Sequence, residues 1–311
     1  MKIDVDVLIR SHGDSQFLLK AIESVQNQVF AGELKIHVTA FGTPIHLQRE
    51  LERLSHRESI CLHMCDRAGY SYPLNVMLDC SSGLYVAILD HDDLMNENRI
   101  QIQFDFLEKN PEICAVGSSI RLIDSSGEVI GRQIYESHPR KIRKALLHKT
   151  PMAHPSAMMR RSAVYKVGGY RDFYDTAEDF DLWSRLSESY NLSNLVENLT
   201  DYRLHESQVT STSRYRNLTA SLAAMQSARL RKRGLSEIHD RYESPQAFGR
   251  VLHIRIKLHY RIYCEKLLRK TRMSHLSGSH WLTLCYFTLL FIVSPRQGIW
   301  ALKLGFRSLT S

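Results

Sequence analysis

The six cysteines of this 311-residue chain are scattered, with no CxxC pair among them. That spacing excludes a Cys-based zinc site and offers no disulfide framework, so the thiols read as reduced, in a cytosolic protein. No internal repeat or long low-complexity run occurs, which sets aside repeat architectures. The opening residues Met1–Ile9 lack the basic-then-apolar layout of a signal peptide, an argument against secretion. Trp281–Val293, a nearly unbroken apolar run, has 13 residues. Spanning a bilayer comfortably takes about 20. Acids are scarce in one part only: residues 211–311 hold 4 Asp/Glu against 18 Lys/Arg.

What is present supports a folded chain. With 43% hydrophobic and 24% charged residues it can bury a sizeable core, in one large domain or two ordinary ones. The net charge of +8 hides a split, with +14 on residues 211–311 and −6 on residues 1–210. Opposite charges point to two jobs. The Ser/Thr-rich stretch at Ser211–Arg216 marks the expected boundary, giving a domain 1–212 and a basic region 213–311.

In the first region apolar runs and helical spacings alternate. Val5–Ile9 reads as a buried strand, followed by a turn at Ser11–Ser15 with good N-cap residues. Phe17, Leu18, Ala21, Ile22 and Val25 then recur at helical spacing. Leu34–Val38 is a second strand and Leu47–Leu54 a helix. Ser71 can cap another helix, with Pro73 in its first turn and Leu74, Met77 and Leu78 as its apolar face. The run Leu84–Leu89 is too short for a typical helix and suits a central parallel strand. This order predicts right-handed crossovers and an open α/β sheet, whose ligands collect at the carboxyl ends of its strands.

The acids lie at that end. Asp90, His91, Asp92 and Asp93 follow Leu89 directly. Clustered carboxylates repel, and a bound Mg²⁺ or Mn²⁺, which favours hard oxygen ligands and bridges phosphates, relieves them. Asp90 and Asp92 together read as a metal or nucleotide site, while Asp93 reads as the N-cap of a helix Leu94–Leu107. A second cluster, Glu178-Asp179-Phe180-Asp181, opens a helix whose face is Leu182, Trp183 and Leu186. Its acids either complement a helix dipole or supply a general base that takes a proton from a hydroxyl nucleophile.

Five stretches, in order, resemble a family-2 inverting glycosyltransferase of bacterial polysaccharide or lipopolysaccharide type: Val5–Gln28, Ala68–Met95, His154–Asp172, Ala177–Leu186 and Tyr202–Thr212. The likeness spans about residues 3–212, and its strength is five motifs in order rather than any one of them. It implies the GT-A fold: an open mixed, mainly parallel sheet flanked by helices, here with a mainly helical basic C-terminal extension. It places Asp90 toward the nucleotide ribose and metal, Asp92 as metal ligand to the diphosphate, and His205 near both. Asp179 matches the catalytic base, with Glu178 as runner-up. Arg10 and Asn75 fall on the donor-binding half. Trp183 aligns beside the acceptor pocket, though a core role suits it better, and Gly168-Gly169 serve a turn. The implied reaction is metal-assisted direct displacement, in which a base-activated hydroxyl attacks the anomeric carbon and inverts it.

The nucleotide half departs from the family pattern. The turn after the second strand, Val38–Thr43, carries no acid, Arg10-Ser11-His12-Gly13 replaces the usual Pro-Thr-Tyr-Asn, and Leu74 stands where an Arg precedes Asn75. UDP is the family default, with GDP and dTDP as the other donors these changes leave open.

The basic region supplies a location. Arg229–Arg233 opens it, Val251–Lys270 interleaves apolar and basic residues, and Trp281–Val293 follows. This reads as a peripheral anchor on the inner face of the plasma membrane, each Lys or Arg near an anionic leaflet adding ~1 kcal/mol. Trp281–Val293 alone fits a core helix as well. No nucleic-acid recognition fold is present, so no nucleic-acid partner is expected. The expected partners are a nucleotide sugar, a lipid-linked or polysaccharide acceptor, and the anionic membrane surface. Two other functions fit the acids: a nucleotidyltransferase releasing pyrophosphate, and a non-catalytic sugar-nucleotide-binding protein.

Overall fold

A computed structural model describes residues 4–13, 16–57, 60–146, 148–205 and 214–249. The readings of Val251–Lys270 and Trp281–Val293, and the first half of the Ser211–Arg216 boundary, lie outside these residues. Close contacts group the chain into two units, Met1–Gln208 with Ala220–Pro245, and Val209–Thr219 with Gln246–Ser311. The first unit thus takes in Ala220–Pro245 as well as the chain up to Gln208. Among the described residues no helix is long and apolar enough to cross a membrane.

The first unit opens with alternating strands and helices: β1 (Val5–Arg10), α1 (Leu18–Gln26), β2 (Leu34–Ala40), α2 (Ile45–Arg57), β3 (Ile60–Met64), α3 (Ser71–Cys80) and β4 (Tyr85–Asp90). The expected elements are all present, because their apolar positions match the period of each. Leu18, Ala21, Ile22 and Val25 bury one stripe of α1, and β1 and β4 are buried to their last residue but one. Each such Leu, Ile or Val contributes about 1.5–3 kcal/mol when fully buried. Parallel pairing of β1 with β4 sets Arg10 opposite Asp90, and β2 flanks β1 on its other side.

The second half follows as β5 (Leu94–Met95), α4 (Arg99–Lys109), β6 (Ile113–Ile123), β7 (Val129–Gln133), α5 (Pro139–Ala145), β8 (Met158–Arg160), α6 (Arg161–Lys166), α7 (Glu178–Ser189) and β9 (Asn191–Arg203). Helices α8 (Arg214–Arg231) and α9 (Pro245–Gly249) complete the described chain. The sheet runs β3-β2-β1-β4-β8-β6-β9-β5, with β7 on β6. It is mixed: the β3-β2-β1-β4 half is parallel, as is β6 with β9, while β8 joins β4 and β6 antiparallel.

Two local expectations change. The helix predicted from Leu94 begins at Arg99, since Leu94 and Met95 pair with Asp201 and Thr200 of β9. Asp93 is therefore no helix cap. Ser71 lies inside the first turn of α3 rather than capping it. The Asp175 carboxylate instead accepts the amides of Tyr70 at 2.6 Å and Ser71 at 3.0 Å.

Arg99 ties the two halves together beneath the strand tips. Fully buried, it donates to the carbonyls of Ile88, Pro155 and Ala157, to Thr200 Oγ1 and to Gln103 Oε1. Burial pulls its pKa down to about 9, against the upward pull of Asp93, and it remains a cation at neutral pH. The strand bearing Asp90 is thus bound to the strand leading to His205.

Candidate active site

The carboxyl edge of β1 and β4 gathers most of the residues singled out in the sequence. Arg10, last in β1, donates from Nη2 to Asp90 Oδ1 at 3.2 Å and from Nη1 to Glu178 Oε1 at 2.9 Å. Its guanidinium stacks 4.6 Å above the Tyr70 ring, which fixes its plane. One cation thereby links the acid at the tip of β4 to the acid that starts α7. The chain after β4 turns tightly, with the Asp93 amide donating to the Asp90 carbonyl at 3.1 Å.

Asp92 points to the other wall of the site. Its Oδ2 lies 2.9 Å from His205 Nε2, just past the end of β9, and both side chains are only slightly exposed. Arg203 supports the pair by donating from Nε to the Asp92 carbonyl at 2.8 Å. Asp93 is turned inward, accepting the Arg203 amide at 2.8 Å while its Oδ2 has no partner among the described residues. Burial first, and then Asp92 and Asp90, hold the Asp93 carboxyl well above the usual carboxylate range. It faces inward toward Arg203 as a strut rather than outward as a ligand.

The two acids of α7 differ in what they can do. Glu178 is buried and spent on Arg10. Asp179 is half-buried, accepts the Phe180 amide at 2.6 Å on Oδ1, and forms no ion pair among the described residues. Burial, with the charge of Glu178 added, pushes its pKa up to about 7. Burial also raises Asp90, which Arg10 opposes and Asp92 reinforces. A carboxylate poised near neutrality with one oxygen unclaimed has the properties of a general base.

Three other predicted residues stand back from this edge. Asn75 donates to the Tyr170 carbonyl at 2.7 Å and accepts its amide at 2.9 Å, so both ends of its side-chain amide clamp a loop. Gly169, at φ +63°, makes room for that clamp, since a Cβ there would lie 2.8 Å from Asn75 Oδ1. Trp183 is fully buried and belongs to the core. It packs against His154, whose Nε2 lies 2.9 Å from the Tyr170 hydroxyl and whose pKa burial and Arg10 lower to about 3.

The sequence offered no signal for Asp175, because its partners at Tyr70 and Ser71 lie more than 100 residues away. It anchors the loop before α7, in which Thr176 has φ 80°. A β-branched residue there is strained, and the anchor holds the strain in place. Through Tyr70 the same anchor orients Arg10. Removing both acceptor bonds in Asp175→Ala should cost about 1–2 kcal/mol, the scale of a lost cap. Asp175→Asn, which keeps an acceptor oxygen, should recover most of it in urea denaturation.

A divalent cation fits the donors present. Among the described residues no group of three or more His, Cys, Asp or Glu is placed to hold a metal ion by itself. The Asp92–His205 pair, with Asp90 two residues before Asp92, offers only one or two donors toward a cation. That is how Mg²⁺ is usually held, with substrate phosphates and water completing its shell.

Residues 6–168, more than half of the chain, match the family described as glycosyl transferase family 2. The O-antigen biosynthesis glycosyltransferase WbnJ of Escherichia coli is 28% identical over 205 residues, covering 65% of this chain and 80% of its own. Staphylococcus aureus TarS 1–349 in complex with UDP-GlcNAc superposes with a TM-score of 0.59 at 12% identity, over 95% of this chain and 92% of that one. The mannosyltransferase PcManGT of Pyrobaculum calidifontis, in complex with GDP-Man and Mn²⁺, gives 0.59 at 16% identity, over 96% and 88%. These two likenesses establish the expected fold.

Proposed function

The chain belongs to glycosyl transferase family 2, and from that premise we propose that it moves a sugar from a nucleoside-diphosphate donor to an acceptor hydroxyl, with inversion and with metal assistance. The observation that carries the proposal is the Asp90–Arg10–Glu178 bridge, which sets the metal-side acids and the α7 acids on one strand edge. Asp179, next to the bridge and in no ion pair among the described residues, takes the proton from the acceptor hydroxyl. Burial raises Glu178, Arg10 opposes that rise through its ion pair, and the same guanidinium holds Asp90 in place. Glu178 is then a fixed charge that raises the basicity of Asp179 rather than a second base.

Asp92 and His205 would hold the metal with Asp90, and the metal would supply charge neutralisation for the departing diphosphate. The donors bound by TarS and PcManGT, UDP-GlcNAc and GDP-Man with Mn²⁺, support a nucleotide sugar and a cation without choosing the base. WbnJ's role in O-antigen biosynthesis supports a lipid-linked or surface-polysaccharide acceptor reached at the inner membrane face. The basic region beyond residue 212 would bring the enzyme there.

A donor panel assayed for nucleoside-diphosphate release, with and without EDTA, tests the reading. Release of pyrophosphate, or inertness toward every donor, would refute it. Asp92→Asn removes a charged donor from the metal edge, and second-sphere or ligand losses of this kind typically cost ~10–100-fold in metal affinity. The apparent Mn²⁺ requirement for donor binding should rise by that factor, read by thermal shift at fixed nucleotide.

A further inference from the structure

We propose that a cavity of about 450 Å³ on the first unit, lined by Arg140, Arg143, Lys144, Asn191 and Lys232, is a second anion site that binds phosphate groups. It contains none of the residues of the strand edge described above. Asn191 begins β9, so the cavity lies at the opposite end of that strand from Arg203. The donor diphosphate therefore is not its ligand.

Two basic runs far apart in sequence converge there: Pro139–Ala145, which forms α5, and Arg229–Arg233 at the end of α8. Two acids beside Arg231, Glu188 and Glu237, are already taken. Arg231 turns inward and pairs with Glu188 at 2.8 Å and with Glu237 at 2.6 Å. Its neighbour Lys232 faces the cavity instead. Among the described residues no carboxylate pairs with Arg140, Arg143, Lys144 or Lys232, and Arg143 is fixed by donating to the Tyr190 carbonyl at 3.2 Å. Four cations around one concavity repel one another and focus a positive potential, which an anion with several oxygens relieves. Arginines and lysines together suit phosphate, the fork of the former giving paired hydrogen bonds.

Phosphate can come from anionic lipid headgroups or from a soluble phosphate, and one pair of variants separates them. The test variant is the full chain with Arg140→Glu, Lys144→Glu and Lys232→Glu, whose side chains make no hydrogen bond or ion pair among the described residues. The control carries Lys20→Glu, Arg49→Glu and Lys109→Glu, the same change in charge at exposed positions elsewhere. Both leave the C-terminal basic region intact, and a thermal melt checks that each is folded. The probes are phosphatidylcholine vesicles with and without phosphatidylglycerol, by co-sedimentation, and inorganic pyrophosphate, by calorimetry.

At about a fivefold gain in affinity per basic residue near an anionic leaflet, the cavity variant should bind phosphatidylglycerol vesicles ~100-fold more weakly than the wild type. The control should lose far less. A selective loss on vesicles alone identifies the headgroup as the source, and a selective loss on pyrophosphate identifies soluble phosphate. If the cavity variant binds both probes as well as the control does, the site does not exist.

Discussion

Asp179→Asn should lower the turnover of sugar transfer by ~10²–10⁴, the usual contribution of a general base, and leave donor affinity nearly unchanged. The substitution keeps the acceptor oxygen that holds the Phe180 amide, so the start of α7 has no cause to move. What it removes is the proton acceptor. The pH dependence gives the same claim a second form. A base must be deprotonated to act, and Asp179 is raised to about 7 by burial and by Glu178. Turnover in the wild type should therefore rise with pH up to about 7 and level off above it. The Asn variant should lose that limb, which steady-state rates between pH 5 and 9 would reveal. The same measurement on Glu178→Gln separates the two acids: it should shift the limb downward by withdrawing a neighbouring charge, not erase it.

The largest loss of stability should come from Asp181→Ala. Asp181 is fully buried on α7 and binds two arginines, Arg171 through both oxygens and Arg185 at 2.9 Å from Nε. Arg185 is itself buried and reaches back to the carbonyls of Val167 and Gly169. Taking away the shared carboxylate leaves guanidinium charge in the interior with its partner gone. Breaking a buried pair in this way costs about 3–5 kcal/mol, against about 5–15 kcal/mol for a whole domain. Glu237 compensates in part, because it also pairs with Arg171 at 3.1 Å. The urea midpoint should fall with little change in slope. A loss below about 1 kcal/mol would show that Glu237 suffices for Arg171 and the Val167 and Gly169 carbonyls for Arg185.

The strands and helices around the site could be read along the chain because each has its own period. Val5–Ile9 and Leu84–Leu89 are apolar throughout and too short for helices, and α7 announces itself by Leu182, Trp183 and Leu186. The placement of Asp90 and Asp92 needed only the rule that ligands gather at strand ends, and the α7 acids needed only their helix. Their proximity could not be read, since it depends on Arg10 reaching residues 80 and 168 positions away. The same distance hid Asp175. Where the reading erred, a tertiary partner had outcompeted a local preference. Leu94 and Met95 follow an acid that would cap a helix, but pairing with β9 draws them into a strand and turns Asp93 toward Arg203. Equally hidden along the chain was the engagement of the Asn75 amide by Tyr170, 95 positions away. The division of labour between Glu178 and Asp179 was also invisible, because adjacent carboxylates differ only in what lies against them.

Single displacement assisted by Asp179 has one stereochemical outcome. The anomeric proton of the product, read by NMR from a donor of known configuration, measures it directly. The α-anomer of a nucleoside-diphosphate sugar should yield a β-linked product, and a β-linked donor an α-linked one. Retention of the donor's configuration would contradict the account, for it requires a second displacement or a front-face attack in which Asp179 is not the base.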